Sequence, residues 1–300
     1  MKISKIILYD EPTVPEIQLK KLAEFLQKTF PVEVELRKNI LLYSTKDTPQ
    51  SIAACKIFNL RKDFEKHIPT QEEIAFEELN IQDTSNTENI IMYDGFQLHK
   101  VLTDLIPKEE NVRNVFHVFF TNKLTCTYDY NDYRYHGRAL IGANPSIIST
   151  TGIIEAPAKP REYYFELMKN FTQGVNVELV KEKFKGTYLE YHDSRLSKII
   201  EGYLLQAIFY YETGDSFCDN KDCKLLNAHW QKDLIHSQLD FGKLCENHQS
   251  ILEEMIKKFF GKKSKKNDDD NESIYSKNAN KNKPMFEKPP VAKIASIVIA

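Results

Sequence analysis

The chain has 300 residues, of which 41% are hydrophobic, and its 41 Lys and Arg nearly balance its 43 Asp and Glu. This composition is that of a globular protein, and a net charge of -2 does not favour nucleic acid or an anionic membrane as the partner. The N-terminal apolar run lacks a signal-peptide cleavage site, and no run reaches the roughly 18 to 20 apolar residues of a transmembrane helix. We therefore expect a cytoplasmic protein with neither a nucleic-acid nor a membrane partner.

The first third of the chain alternates strand and helix patterns. Leu19, Leu22 and Leu26 lie on one stripe, which is the spacing of a helix packed on a sheet. The predicted strands cover residues 3–9, 32–36 and 90–93, and the predicted helices cover residues 15–30, 51–60 and 96–106. This order predicts an α/β fold.

The rest of the chain passes from strands to helices. Residues 114–150 are rich in β-branched and aromatic residues and predict several strands. Helical patterns follow at residues 162–171, 194–211 and 250–260. We expect one α/β domain over residues 1–260, built on a mixed sheet with packed helices. Residues 261–284 lack apolar periodicity and predict a disordered linker, and residues 285–300 predict a tail or an edge strand.

Three of the five cysteines fall close together near the C-terminal end of this domain. Cys218 and Cys223 are separated by four residues, and Cys245 and His248 by two. Two short pairs of sulfur and nitrogen ligands are typical of a tetrahedral structural zinc site. The spacing predicts a zinc knuckle over residues 218–248, with Zn²⁺ as the cofactor. Cys55 and Cys126 are instead expected in the core.

The cysteine segment resembles that of the archaemetzincins, zinc metallopeptidases of the metzincin type. Their hallmark is HExxHxxGxxHC-x4-C-x-M, followed after a spacer by C-x2-C. Gly214, Cys218 and Cys223 stand at the glycine and the first two cysteines of that pattern, and Cys245 with His248 stands near the second pair. The segment NAHWQ also resembles an archaeal group of proteins labelled as metallopeptidases. The resemblance implies a metzincin-like α/β fold.

The same alignment departs from the hallmark at each catalytic position. The three catalytic histidines correspond to Ala207, Tyr211 and Phe217, the general-base glutamate corresponds to Ile208, and the methionine corresponds to Leu225. A catalytic zinc needs three protein ligands, an open position for water and a carboxylate to accept the proton. The resemblance therefore implies a metallopeptidase-like protein that keeps a structural zinc and has lost peptidase activity.

Two functions remain open from the sequence. The first is a pseudoenzyme with a binding or regulatory role towards a peptide or protein, through the former substrate cleft or the hairpin that carries the tyrosines Tyr128, Tyr130, Tyr133 and Tyr135. The second is an active zinc-dependent hydrolase with a relocated site near His192, Glu201 and His229, which would meet if the loop after Cys223 folded back.

Overall fold

The computed structural model describes residues 1–82 and 90–272, with backbone alone for residue 82 and for residues 261–272. Two sheets form the framework. The larger sheet consists of β1 (Lys5–Tyr9), β2 (Glu33–Arg37), β4 (Val115–Thr121), β7 (Leu140–Ile141) and β8 (Ser146–Ser149), and the smaller one of β3 (Met92–Asp94), β5 (Leu124–Asp129) and β6 (Arg134–Arg138).

The larger sheet has the strand order β2-β1-β4-β8-β7. Its first four strands are parallel, and β7 lies antiparallel to β8 at the edge. In the smaller sheet β5 is central, parallel to β3 and antiparallel to β6. The observed architecture is therefore mixed α/β, which confirms the fold class predicted from the sequence.

Ten α-helices complete the described part of the chain. They are α1 (Leu19–Thr29), α2 (Thr48–Ala53), α3 (Gln71–Gln82), α4 (Gly95–Asp104), α5 (Thr150–Glu155), α6 (Arg161–Thr172), α7 (Glu178–Phe184), α8 (Leu196–Thr213), α9 (Gln231–Ile235) and α10 (Glu246–Glu272). Short 3-10 and π-helical turns cover Ile40–Tyr43 and His236–Phe241. Within the described ranges, no helix combines the length and apolar content that crossing a membrane requires.

The two faces of the larger sheet belong to different cores. Successive side chains of a strand point to opposite faces, so Ile6 and Leu8 enter one core and Ile7 and Tyr9 the other. The first core is covered by α1, α8 and the start of α10, and the second by α2 and α4. Helix α8 is buried along most of its length, which fixes the segment that follows it against the sheet.

Several elements differ from the sequence prediction, among them the short helices α5, α7 and α9, which were not predicted. The helix expected at residues 51–60 is the shorter α2, because the chain after it forms a β-bridge between Lys56 and Tyr93. Helix α3 was not predicted, because its buried residue is the charged Glu77 and it has no apolar stripe.

A further difference is at the C-terminal end. Helix α10 continues to Glu272, so residues 261–272 are helical rather than part of a disordered linker. Once a helix is formed, each added residue costs far less than nucleation did, and elongation carries α10 past the end of its apolar pattern. Residues 273–284 of the predicted linker and the predicted tail or edge strand at 285–300 lie outside the described residues.

Candidate metal centre

Helix α8 ends at the residue that leads into the cysteine segment. Gly214 adopts a left-handed conformation with φ of +87°, and its N–H donates to the carbonyl of Tyr210 at 2.8 Å. This is the helix-ending geometry that glycine adopts without a steric penalty. The chain then turns back so that the backbone N–H of Cys218 donates to the carbonyl of Leu225 at 2.9 Å. The loop between Cys218 and Cys223 is thereby closed on itself.

The second ligand pair lies at the start of α10. Cys245 immediately precedes the helix and His248 is in its first turn. The backbone N–H of Cys245 donates to Sγ of Cys223 at 3.5 Å, which joins the start of α10 to the first loop. The four side chains predicted from the spacing of the sequence are therefore brought to one place by two separate segments.

The four ligand atoms lie close enough together to hold one metal ion. All of them lie within 4.8 Å of one another. Sγ of Cys245 lies 3.9 Å from Sγ of Cys218 and 3.2 Å from Nδ1 of His248, and Sγ of Cys223 lies 3.7 Å from the same nitrogen. With Zn–S bonds of about 2.3 Å, tetrahedral geometry places two sulfur ligands about 3.8 Å apart. The cysteines are free thiols, since a disulfide needs about 2.05 Å.

The surroundings of the cluster act on its thiols in opposite directions. Backbone N–H groups of Asn220 and Leu225 lie 3.4 and 3.5 Å from Sγ of Cys218 and Cys223, so they stabilise negative charge on sulfur. Burial raises the pKa of Cys223 to about 12. Burial also acts to raise the pKa of Cys245, but hydrogen bonds from His248 outweigh it and lower that pKa to about 7. The donor set of three sulfurs and one imidazole suits zinc, and four protein ligands leave no open position for a reacting water.

The positions aligned with the catalytic motif are mostly in the core. Ala207, Ile208 and Leu225 are fully buried. Tyr211 is half-buried; its ring centroid lies 5.2 Å from that of Phe116, and its hydroxyl donates to the carbonyl of Arg113 at 2.8 Å. Ala207, Ile208 and Leu225 offer no metal-ligating atom, and the tyrosine hydroxyl is already hydrogen-bonded to the main chain.

Two of the three residues of the alternative site are held by other partners. Nδ1 of His192 lies 3.0 Å from a carboxylate oxygen of Glu16. Glu201 forms ion pairs with Lys198 at 2.7 Å and with the buried Lys224 at 2.6 Å. His229 is exposed. Among the residues that the structure describes, His192, Glu201 and His229 do not form a group with ligand atoms within reach of one ion.

The remaining candidates from the sequence have structural positions. Cys55 and Cys126 are buried, as predicted, and burial raises the pKa of each thiol to about 12. In the tyrosine hairpin, Tyr128 pairs with Tyr135 across β5 and β6, with ring centroids 5.3 Å apart. Tyr130 and Tyr133 are each 66% exposed at its tip.

One further group was missed by sequence reasoning. Asp129, Asp132 and His136 have ligand atoms within 4.8 Å of one another at the end of the β5–β6 hairpin. Nε2 of the buried His136 lies 2.9 Å from Asp132, and Nε of Arg134 donates to the same carboxylate at 2.7 Å. The hydrogen bond from His136 lowers the pKa of Asp132. Only the hairpin register brings these residues together, so their spacing gave no signal.

The fold and the cluster together define a mixed α/β protein with a Cys₃His group able to hold a metal ion. The chain belongs to the family described as "Probable metallopeptidase family (DUF6775)", whose model matches residues 2–255. This match covers nearly all of the domain expected from the sequence and agrees with the metallopeptidase resemblance.

Two solved structures are similar to this chain at low sequence identity. A zinc-dependent peptidase from Methanocorpusculum labreanum is 13% identical with a TM-score of 0.41, over 83% of this chain and 100% of that one. Archaemetzincin from Methanopyrus kandleri is 9% identical with a TM-score of 0.42, over 85% of this chain and 97% of that one. Among curated proteins, none matches the sequence.

Proposed function

We propose that this protein is a zinc-binding member of its family without peptidase activity, in which Cys218, Cys223, Cys245 and His248 hold one structural Zn²⁺. The observation that carries the proposal is the contrast between two sets of positions. The three sulfur atoms and the imidazole nitrogen lie within 4.8 Å of one another, close enough to hold one ion. Ala207 and Ile208, at two positions of the catalytic motif, are apolar and buried.

The zinc would join the end of α8 to the start of α10. Cys218 follows α8 after a short turn, and His248 lies in the first turn of α10, with its ring centroid 5.9 Å from that of Phe209 on α8. One zinc ion with four ligands would bind both chain segments at once and replace the need for further apolar packing there. Its role is to stabilise this corner of the domain and not to activate water.

We further propose that the protein acts in the cytoplasm by binding a peptide or protein. Helix α6 supports this proposal, because Phe165, Met168 and Phe171 project from it with 74%, 68% and 78% of their surface exposed. Exposed apolar side chains grouped on one element are typical of interaction surfaces. The tip of the tyrosine hairpin, with Tyr130 and Tyr133, is a second surface of aromatic side chains.

The test combines metal content with a peptidase assay on the purified protein. Elemental mass analysis is expected to give one zinc per chain in the wild type and in His229→Ala, and none in Cys218→Ser. Hydrolysis of a quenched fluorescent peptide library is expected to stay at the level of the buffer, with or without added zinc. Hydrolysis that is abolished by a chelator and by His229→Ala would replace this proposal with a relocated active site.

A further inference from the structure

Helix α6 carries large apolar side chains on two opposite faces. One face presents Tyr163 and Leu167, which pack against α7 in a small core separate from those of the larger sheet. The other face exposes four large side chains, namely Tyr164, Phe165, Met168 and Phe171. A surface helix normally turns one apolar face to the core and polar residues to water. The outer face of α6 therefore has the character of a surface that another element covers.

The four exposed side chains form one continuous stripe along the helix. Residues three and four positions apart are neighbours on a helix surface. Phe165, Met168 and Phe171 follow one another at steps of three, and Tyr164 lies four positions before Met168. We call these four residues the α6 stripe. Within the part of the chain that the structure describes, no element covers it, since three of its members are more than two-thirds exposed.

The area of the α6 stripe suits an interface between two copies of the chain. Large side chains of this kind have about 200 Å² of surface each, so the exposed fractions of the four residues give about 500 Å² in all. In homodimer interfaces about 65% of the buried surface is apolar. An apolar patch of this size therefore belongs to an interface of about 800 Å² per chain, which is the usual size of a stable one.

The charges beside the α6 stripe complement themselves. Glu162 and Lys169 are exposed and lie seven residues apart, so they flank the stripe on the same side, two helical turns from each other. Glu166 lies between them and is paired with Lys183 of α7. Within the described residues, Glu162 and Lys169 form no ion pair. When two such helices pack antiparallel about a two-fold axis, Glu162 of one chain lies beside Lys169 of the other.

We propose that the α6 stripe is the contact surface of a homodimer, in which two copies of α6 pack antiparallel across a two-fold axis. This arrangement buries the same stripe on both chains and sets Phe165 of one chain against Met168 of the other. It also aligns the two helix dipoles in the favourable antiparallel sense. The inference rests on the part of the proposed function that assigns α6 to binding a protein, and it names that protein as a second copy of this chain.

Sedimentation velocity of the full chain across the micromolar range tests the proposal. We expect the wild type to pass from monomer to dimer as its concentration rises. Phe165→Glu places a charge inside the stripe and should weaken dimerisation at least about thirtyfold, as expected for one central side chain of an interface. Ile68→Glu is the matched control, because Ile68 is 91% exposed and lies outside α6. This control should dimerise as the wild type does.

Reversal of the flanking charges tests the antiparallel arrangement. Glu162→Lys sets two lysines against each other at two symmetric places and should weaken dimerisation about threefold to tenfold at low salt. The double variant Glu162→Lys/Lys169→Glu restores opposite charges across the interface and should recover the wild-type affinity. Because all of these positions are exposed, each variant should melt within a few degrees of the wild type, which excludes misfolding as the cause of a lost dimer.

Three results would overturn the proposal. The first is a wild type that stays monomeric throughout the range, which would leave the α6 stripe to a different protein. The second is equal dimerisation of the wild type and Phe165→Glu, which would place the interface elsewhere. The third is a double variant that dimerises no better than Glu162→Lys, which would exclude the antiparallel arrangement. Zinc content and peptide hydrolysis are measured separately, so failure of this proposal is distinguishable from failure of the proposed function.

Discussion

The cysteine cluster and the end of α8 are neighbours in the chain with opposite chemistry. On one side of Gly214, Ala207 and Ile208 are buried among apolar side chains. On the other side, three sulfurs and an imidazole converge within 4.8 Å. Of these two regions, the second presents a set of atoms able to hold a metal ion.

The difference teaches how a family motif is to be interpreted in a single member. Similarity of the surrounding sequence extends across both regions, and the family model matches residues 2–255 as a whole. The chemistry of each region depends instead on the ligand atoms present. A closed set of four ligands stabilises a fold, and a catalytic site needs three ligands and an open position. The predictions that follow probe each side of this contrast.

The largest effect is expected from Cys223→Ser on the cluster side. Cys223 is fully buried, and its loss removes a ligand that a hydroxyl does not replace. We expect zinc to be lost and the free energy of unfolding to fall by at least about 3 kcal/mol, because structural zinc contributes ~10–16 kcal/mol in isolated zinc-finger peptides. Elemental analysis and urea unfolding measure the two effects.

The matched control for that variant is Cys55→Ser. Cys55 is also buried, and its Sγ donates to the carbonyl of Ser51 at 3.1 Å, a bond that serine retains. The Cys55→Ser variant should keep its zinc, and its free energy of unfolding should fall by about 1 kcal/mol. Equal metal loss in both variants would show that burial of the cysteines, rather than ligation, decides the result.

The next effect is expected from Ile208→Glu on the apolar side. This position aligns with the general-base glutamate, but Ile208 is fully buried and belongs to the main core. An unpaired carboxylate there should lower the free energy of unfolding by about 4 kcal/mol. The conservative variant Ile208→Val should lower it by about 1 kcal/mol. If the midpoint of urea unfolding of Ile208→Glu equalled that of the wild type, the side chain at position 208 would face an open cleft, which would contradict the prediction.

A third prediction concerns protons released on zinc binding. Burial raises the pKa of Cys218 and Cys223, so both are thiols at neutral pH, whereas Cys245 has a pKa of about 7 and is half ionised. Zinc binds thiolates, so the three thiols should release between about two and three protons at pH 7. Zinc affinity therefore falls as pH falls.

Calorimetry of the metal-free protein in buffers of different ionisation enthalpy measures this proton release. The variant Cys245→Ser, which removes the half-ionised thiol, should release about 2 protons at pH 7 if it still binds zinc at all. Release of fewer than one proton by the wild type would mean that zinc binds elsewhere.

The smallest effect is expected at the junction of the two regions. Gly214 has a φ of +87°, and no atom lies within 4 Å of a Cβ added there. Gly214→Ala should therefore lower the free energy of unfolding by about 1 kcal/mol through backbone strain alone. Gly214→Asn should lower it by less. Thermal unfolding measures both, with zinc retained in each. If Gly214→Ala lowered the free energy of unfolding by more than about 3 kcal/mol, the added Cβ would have to clash with other atoms, which would contradict the free space around Gly214.

The sequence predicted the parts of the molecule that depend on local patterns. The sulfur ligands stood out because cysteine is rare in this chain and its spacing is short. Most of the strands and the longer helices followed from apolar periodicity. Helix α3 did not, because Glu77 is held by ion pairs with Lys56 and Lys123. These three residues are far apart in the sequence, so the sequence alone did not reveal the network.

A cavity of about 510 Å³ at the carboxyl end of β1, lined by Asp10, Glu11, Asn39 and Asn122, depends on strand order, which the sequence does not reveal. In the sequence, Asp10 and Glu11 are only two acidic residues at the end of an apolar run. Only the parallel pairing of β1 with both β2 and β4 brings Asn39 and Asn122 next to them. The hairpin group of Asp129, Asp132 and His136 depends in the same way on the register of β5 and β6.

X-ray absorption at the zinc edge of the purified protein tests the central claim most directly. The account predicts one zinc surrounded by three sulfurs at about 2.3 Å and one nitrogen at about 2.0 Å. A shell of nitrogen and oxygen without sulfur would contradict it, because the metal would then lie outside the group of Cys218, Cys223, Cys245 and His248.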